Sequence, residues 1–122
     1  MIGYTTLGTA DFERARAFYD TVLAELGAQL LYAGEREAYW GDSPEGTKFA
    51  VVLPLDGEPA SVGNGSMVAL KADSRDQVDA TYRSALDHGG TDEGGPGPRG
   101  KGTFYGAYFR DPDGHKICVF VT

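Results

Sequence analysis

An internal repeat runs through this sequence and leaves few folds open to it. Residues 4–28 align with residues 67–91 at a constant offset of 63 positions. The identical pairs in this alignment are Leu7 and Leu70, Ala17 and Ala80, Tyr19 and Tyr82, Leu23 and Leu86, and Gly27 and Gly90. A unit of this length cannot bury its apolar face alone, so we expect two similar modules that pack together.

The repeat also aligns the signals that begin and end a helix. Asp11 and Ser74 stand at matching positions and are residue types that favour a helix N-cap. Gln77 follows Ser74 by three residues, as in a capping box. Apolar residues then recur at helical spacing, and Gly27 and the pair Gly89 and Gly90 predict left-handed helix ends. Each copy therefore predicts a strand, a helix and a stop.

A second pair of similar segments follows the helices. Residues 38–52 align with residues 107–120 when Ser43 is treated as a one-residue insertion, and both contain the order Pro-acid-Gly-x-Lys. Proline fixes φ early in a turn and glycine accepts a positive φ, so each segment predicts a hairpin with an apolar second strand. Each half of the chain is thus a β-α-β-β-β unit of about 55 residues.

The second hairpin turn holds Asp111, Asp113 and His115, a set that could also suggest catalysis or metal binding. In the alignment His115 stands opposite Thr47, so the first copy forms this turn without an imidazole. His115 and Cys118 are separated by an odd number of positions on one strand and therefore point to opposite faces. We interpret the three residues as parts of a turn and assign no catalytic residue.

The chain is predicted to be a single domain of class α+β. Module one spans residues 1–60 and module two residues 66–122, and the joint is the segment 54–66, which is rich in glycine, proline and serine. A chain of 122 residues can build one hydrophobic core but not two full-sized independent ones. The two modules are therefore expected to pack together as one domain, either within one chain or between two chains.

Charge and apolar content exclude two kinds of partner. Lys and Arg number 11 against 18 Asp and Glu, and the net charge of -7 works against binding nucleic acid or an acidic membrane surface. No run of about 18 apolar residues is present, so no membrane span is predicted. The sequence lacks a secretory signal pattern and its only cysteine cannot form an internal disulfide, which together favour a cytoplasmic location.

The glycine-rich segment 94–102 resembles a phosphate-binding loop only in its letters. Such a loop needs a buried strand before it and a helix after it, whereas a strand is predicted to follow here. Pro96 and Pro98 also remove amides that a phosphate would use. We expect a flexible loop beside a binding pocket, where Arg99 or Lys101 could meet an anionic ligand.

Two segments carry a resemblance to a known superfamily. The opening "MIGYTTLGTADFERARAFYD" and the closing "FRDPDGHKICVFV" are similar to the first strand and helix and to the final hairpin of the vicinal oxygen chelate superfamily. This superfamily includes glyoxalases, extradiol dioxygenases, and bleomycin and fosfomycin resistance proteins. The resemblance covers the whole chain and implies two β-α-β-β-β modules that form a cupped mixed sheet. It does not imply one reaction, because the architecture hosts many chemistries.

The resemblance also identifies where a metal would bind. In metal-dependent members the ligands come from the first and last strands of each module, which correspond here to Tyr4, Ala50, Met67 and Cys118. The repeat alignment independently pairs Tyr4 with Met67 and Ala50 with Cys118. Divalent cations prefer carboxylate, imidazole or thiolate ligands, and this set offers only one phenol and one thiol. We therefore expect no metal and no cofactor.

These residues lead to a hypothesis for the site and its function. The predicted ligand pocket consists of Tyr4, Thr6, Tyr39, Trp40, Ala50, Met67, Ala69, Arg99, Tyr105 and Cys118. An aromatic, sparingly polar pocket is typical of small-molecule binding, as in bleomycin resistance proteins, and the acidic net charge suits a cationic ligand. The alternatives are a glyoxalase-like lyase, a metal-free isomerase or cyclase, and a domain with a vestigial pocket. A homodimer is expected because uncovered sheet edges and faces favour a second chain.

Overall fold

The computed structural model describes all residues from 1 to 122 and contains two helices and eight strands. In chain order these are β1 (Tyr4–Gly8), α1 (Phe12–Ala24), β2 (Gln29–Ala33), β3 (Glu37–Gly41), β4 (Lys48–Val52), β5 (Met67–Lys71), α2 (Arg75–Asp87), β6 (Thr91–Pro98), β7 (Tyr105–Arg110) and β8 (Lys116–Val121). The segment between β4 and β5 forms neither helix nor strand. Both helices fall short of the length and apolar character that a membrane span requires.

The strands form two four-stranded mixed sheets with the same topology. One has the order β1-β4-β3-β2 and the other β5-β8-β7-β6. β1 pairs in parallel with β4, and β5 pairs in parallel with β8. All the other neighbouring strands are antiparallel. Ala38 lies opposite Val51 in the first sheet, as Ala107 lies opposite Val119 in the second, so the register repeats as well. The predicted α+β fold with two β-α-β-β-β modules is confirmed.

Both helices begin at the predicted caps. The Asp11 side chain accepts a hydrogen bond of 3.0 Å from the Arg14 amide, and Ser74 accepts one of 3.1 Å from the Gln77 amide. These bonds satisfy amides that lack a partner in the first helical turn. Gln77 Oε1 accepts from the Asp73 amide at 2.6 Å, one residue before the N-cap, so it does not close the expected capping box.

The glycines differ between the two copies. Gly27 and Gly89 take the predicted left-handed conformation, with φ of 77° and 107°, whereas the prediction for Gly90 was wrong because its φ is not positive. Gly114 in the second hairpin turn also has a positive φ, of 97°, but Gly46 in the first does not. The Gly46 amide donates to both the carbonyl and the hydroxyl of Ser43, the inserted residue, and the Gly114 amide donates to the Asp111 carbonyl. The two turns therefore differ in the conformation of their glycine as well as in length.

The glycine-rich segment is mostly strand, so its prediction as a loop from 94 to 102 was wrong. Residues 91–98 form β6, and only residues 99–104 connect it to β7. Two register irregularities interrupt the pairing of β6 with β7. β6 is an edge strand and has only one neighbouring strand, β7. Prolines, which lack an amide hydrogen, are therefore tolerated at positions 96 and 98.

One continuous core joins the modules. Its buried members come from both helices and both sheets, and the ring centroids of Phe18 on α1 and Phe109 on β7 lie 6.3 Å apart. Helix α1 packs against α2, and Gln77 Nε2 donates a hydrogen bond of 2.9 Å to the Glu25 carbonyl at the end of α1. The helices therefore lie where the two modules meet, and each sheet has one face directed toward this shared core.

Candidate functional site

Each sheet has a face that packs on the core and an opposite face that stays open. In module one Trp40 and Phe49 pack against Tyr19 of α1, with ring centroids 5.9 and 4.6 Å away. Tyr39 and Ala50 are their neighbours along the strands and therefore point away from the helix. We call the surface directed away from the helices the open face of each module.

The open face of module one carries three tyrosines. The ring of Tyr39 lies 5.7 Å from Tyr4 and 6.1 Å from Tyr32, both in edge-on geometry. Thr6 pairs in register with Ala50, which in turn pairs with Tyr39. Tyr4 and Tyr32 remain 60% and 50% exposed. The structure thus brings four residues of the predicted pocket together, and it adds Tyr32 to them.

The open face of module two has a different character. Ala69 pairs in register with Cys118, which pairs with Tyr108. Met67 lies two residues before Ala69 on the same face and is 45% exposed. The Arg99 guanidinium lies 5.5 Å above the centre of the Tyr108 ring. Four further residues of the predicted pocket are therefore grouped here, around an aromatic ring and a cation.

Two residues of the predicted pocket lie on the other side of the sheets. Trp40 is 1% exposed, and its indole nitrogen donates a hydrogen bond of 2.8 Å to Asp20 on α1. The Tyr105 hydroxyl donates to Asp79 on α2 at 2.7 Å, and Arg75 lies 4.7 Å above the Tyr105 ring. Trp40 and Tyr105 therefore lie toward the helices, apart from the other eight residues of the predicted pocket.

The environment of Cys118 makes it a poor nucleophile and a poor ligand. Burial raises the pKa of its thiol above the ordinary value, while the Tyr108 hydroxyl and the charges of Arg99 and Lys116 act in the opposite direction. The raised pKa keeps the protonated form at neutral pH, and only the thiolate attacks electrophiles or binds metals well. Cys118 therefore serves here as a small apolar side chain.

The residues at the four presumptive ligand positions do not fit a divalent cation. Alanine at position 50 has no donor atom, the thioether of Met67 is a weak ligand for such ions, and a phenol and a thiol must each release a proton to bind. No group of three or more His, Cys, Asp or Glu in the chain is arranged to hold a metal ion. We derive no chemistry through a metal at Tyr4, Ala50, Met67 and Cys118.

The turn before β8 makes contacts that attach module two to module one. Asp113 Oδ2 accepts a hydrogen bond of 2.6 Å from the Thr9 hydroxyl, and its Oδ1 accepts from the Ala10 amide at 2.9 Å. Arg14 on α1 forms an ion pair of 3.1 Å with the same carboxylate. Asp113 therefore binds the loop before α1 and the first turn of that helix.

Asp111 and His115 complete this contact. Asp111 Oδ1 accepts from the amides of Asp113 and His115 at 3.0 and 2.9 Å, and Oδ2 accepts from the Tyr19 hydroxyl at 2.5 Å. His115 Nε2 donates a hydrogen bond of 2.7 Å to the Gly8 carbonyl. The acceptor is a carbonyl, so Nε2 carries the proton. Each of the three side chains in this apparent catalytic set thus has at least one structural partner.

Sequence reasoning missed two residues of the open face of module two. The predicted pocket includes neither Tyr108 nor Lys116, although Lys116 is the lysine of the hairpin pattern. Lys116 Nζ lies 5.4 Å above the Tyr108 ring. Lys116 precedes Cys118 by two residues, so strand alternation alone would have placed it on the same face. The position of Tyr108 needed the register between β7 and β8.

Comparison with known proteins agrees with the fold. The sequence model of the Glyoxalase/Bleomycin resistance protein/Dioxygenase superfamily matches residues 1–119. No curated protein matches the chain. The solved structure of a glyoxalase/bleomycin resistance protein from Albidiferax ferrireducens is 37% identical, with a TM-score of 0.92, and the match covers 100% of this chain and 98% of that one.

More distant structures share the fold alone. A glyoxalase-related enzyme from Fulvimarina pelagi is 19% identical with a TM-score of 0.78, and the match covers 100% of this chain and 88% of that one. Lactoylglutathione lyase from Agrobacterium tumefaciens is 21% identical with a TM-score of 0.71, and the match covers 99% and 92% of the two chains. With the family match over nearly the whole sequence, these findings show that this chain belongs to the glyoxalase/bleomycin resistance protein/dioxygenase superfamily.

Proposed function

We propose that this protein binds a small molecule at its open faces and that it does so without a metal at the family's ligand positions. The observation that carries this proposal is the chemistry of those positions, where Tyr4, Ala50, Met67 and Cys118 supply aromatic and apolar surface. Concave sites with aromatic walls and few polar groups are typical of small-molecule binding. Sequestration of the ligand requires no Lewis acid, whereas a glyoxalase-type reaction needs one to stabilise a developing negative charge.

We further propose that a second copy of the chain completes the site. The shared core occupies the helix-facing sides of both sheets, so the open faces remain available to another chain. Tyr4, Tyr32 and Met67 are large side chains, and each is 45% or more exposed there. β1 and β5 are also edge strands, with hydrogen-bonding groups free on one side. A homodimer that pairs open faces would cover the apolar side chains and enclose a ligand between them.

A ligand screen by thermal shift tests the binding function. A compound that binds only the folded protein raises its melting temperature, and saturation at 100 times the Kd stabilises it by about 2.7 kcal/mol. We expect at least one small aromatic or aliphatic compound to do so in a concentration-dependent way. Elemental analysis of the same sample, purified without a histidine tag or chelator, is expected to show no stoichiometric metal.

Two variants, each with one alanine replaced by tryptophan, locate the binding site. Ala69→Trp should fill the exposed centre of the open face of module two and abolish the thermal shift. Ala24→Trp adds the same bulk at an exposed position near the end of α1 and should leave the shift unchanged. A shift that survives Ala69→Trp would place the ligand elsewhere, and a screen with no response from the folded protein would favour a vestigial pocket.

Light scattering tests whether two copies of the chain form a homodimer. At micromolar concentration the mass should be twice the 13.0 kDa of one chain. Tyr4→Glu and Met67→Glu each place a charge on an open face and should shift the equilibrium toward the monomer, because burying an unpaired charge is costly. Leu55→Glu is the control, since Leu55 is equally apolar and almost fully exposed in the joint between modules. A monomer in the unaltered protein would reject the dimer.

A further inference from the structure

Two cations share one aromatic ring on the open face of module two. The Arg99 guanidinium lies 5.5 Å and the Lys116 ammonium 5.4 Å from the centre of the Tyr108 ring. Arg99 donates one hydrogen bond, of 2.7 Å, to the Gly95 carbonyl. Neither cation forms an ion pair, because the three ion pairs of the chain use Arg14, Arg16 and Arg110. Both side chains are only partly buried, so each retains donors that a ligand can reach.

This arrangement runs against the overall charge of the chain. Acidic residues outnumber basic ones by 18 to 11, yet neither cation beside Tyr108 is ion-paired with an acid. Comparison with module one shows that a hairpin of this kind does not require two cations beside the tyrosine. Lys48, the counterpart of Lys116, donates to the Gly46 carbonyl at 3.0 Å, and Tyr39, the counterpart of Tyr108, is flanked by tyrosines. The pair of cations is specific to module two.

The glycines of β6 allow Arg99 to reach the ring. A Cβ added at Gly94 would lie 3.2 Å from Arg99 Nη2 and 3.3 Å from the Tyr108 ring, and Gly94 also has a φ of 151°. A Cβ at Gly97 would lie 3.5 Å from Arg99 Nη1. Side chains at these positions would crowd the guanidinium, so the glycine-rich strand serves as the surface along which Arg99 lies.

A groove beside Lys116 offers room for the rest of a ligand. It has a volume of about 600 Å³ and is lined by the joint residues 62–66 together with Met67, Arg110 and Lys116. This volume falls within the range typical of small-molecule sites. Arg110 is bound to Glu93 at 2.9 Å and so supplies little free charge. Lys116 is the residue that belongs both to the groove and to the cation pair.

We propose that Arg99 and Lys116 form an anion subsite that binds the carboxylate or phosphate of a small organic acid, whose apolar body lies in the groove beside Met67. This inference rests on the proposed small-molecule function and specifies the charge of its ligand. It reverses the expectation of a cationic ligand that the net charge of the chain suggested. The charges close to Tyr108 determine the charge of the preferred ligand more than the net charge of the chain does. Salt screens the more distant surface charges, whereas a guanidinium and an ammonium can bond directly to an anion.

Four probes of one shape separate charge from apolar contact. Benzoate, phenyl phosphate, neutral benzamide and cationic benzylamine are titrated into the full-length protein, and binding is followed by the amide NMR signals of Tyr108, Lys116 and Met67. Charge-assisted hydrogen bonds should make benzoate or phenyl phosphate bind about tenfold more tightly than benzamide. The tighter of the two anions identifies the preferred group. Added salt should weaken the binding of the anions but not that of benzamide.

Matched variants assign the effect to the two cations. Arg99→Gln with Lys116→Gln should remove the advantage of the anions and leave benzamide binding unchanged. Arg36→Gln with Arg83→Gln removes the same net charge from exposed positions in the turn between β2 and β3 and on α2, and should preserve the advantage. If the first double variant does not fold, the dependence on salt in the unaltered protein carries the test alone.

The outcomes distinguish this inference from the function on which it rests. Equal affinity for all four probes at the open face, or tightest binding of benzylamine, overturns the anion subsite and leaves small-molecule binding intact. An anion preference that survives Arg99→Gln with Lys116→Gln also overturns it. No response from folded protein to any probe overturns the anion subsite and counts against the proposed function as well.

Discussion

Tyr19 and Asp111 are joined by a buried hydrogen bond of 2.5 Å that links α1 of module one to the last turn of module two. Their counterparts in the repeat behave differently. Tyr82 donates at 2.6 Å to the exposed Asp92, and Asp42, which aligns with Asp111, is exposed. The repeat is therefore broken where the two modules meet, because the counterparts Tyr82 and Asp42 form no equivalent buried bond.

Removing the Tyr19 hydroxyl should destabilise the protein. In Tyr19→Phe the buried carboxylate of Asp111 loses a donor, which costs about 1–3 kcal/mol in the free energy of unfolding. Denaturant unfolding followed by the fluorescence of Trp40, the only tryptophan, measures this change. Tyr82→Phe is the matched control and should cost less than half as much, because its partner Asp92 is exposed to water. Equal losses would contradict the importance of the buried bond.

Alkaline pH should unfold the protein partly through Tyr19. Burial, followed by the charge of Asp111 and the hydrogen bond to it, raises the pKa of Tyr19 well above its ordinary value of 10.0. The folded state then keeps the proton at a pH where the unfolded chain releases it. Stability from this group is complete below pH 10 and falls by about 1.4 kcal/mol per pH unit above it. Unfolding measured from pH 8 to 11 should show a smaller decline in Tyr19→Phe.

The contacts of Asp113 should hold the modules together. Asp113→Asn weakens bonds to the Thr9 hydroxyl, the Ala10 amide and Arg14, and we expect a loss of about 1–3 kcal/mol. Glu45→Gln changes the aligned acid of the first hairpin, which is exposed, and should change stability by less than about 0.5 kcal/mol. Hydrogen exchange should also quicken at residues 9–14 in Asp113→Asn. Unchanged exchange there would show that the contact does not restrain the loop.

Restoring metal ligands should create an affinity that the natural side chains do not provide. The variant with Tyr4→His, Ala50→Glu, Met67→His and Cys118→Glu offers two imidazoles and two carboxylates, which suit nickel or zinc. Equilibrium dialysis should then show binding of one metal per site, against little for the unaltered chain. Stoichiometric nickel, zinc, iron or manganese in the natural protein, lost on changing Tyr4 or Cys118, would overturn the metal-free proposal.

Much of the fold could be predicted because its signals are local. The caps at Asp11 and Ser74 and the left-handed Gly27 follow from residue type and spacing, and all three were confirmed. The alignment of residues 38–52 with 107–120 predicted a hairpin in each module, and the register of β3 with β4 is repeated in β7 with β8. The strand at residues 91–98 was missed because glycine and proline disfavour strands in general, and only its place at a sheet edge makes them acceptable here.

The candidate site could be predicted only in part. Neighbouring residues on a strand point to opposite sides of the sheet, so Tyr39 and Trp40 cannot both line the same face. Strand alternation does not say which of these two side chains points toward a helix. Packing of α1 on its sheet decides that Trp40 is buried and Tyr39 open. In the same way, packing of α2 draws Tyr105 toward Asp79 and away from the open face.

The sequence by itself determined the two modules, their helices and the absence of the usual metal ligands, since each depends on residues near one another in the chain. Only the tertiary structure decided that Asp113 contacts Thr9, 104 residues away, and that Arg99 and Lys116 both lie against the ring of Tyr108. Contacts of this kind depend on how the modules pack and how β6, β7 and β8 align. Local periodicity indicates which residues share a face of a strand or helix. Which other element packs on that face depends on the packing of the whole chain.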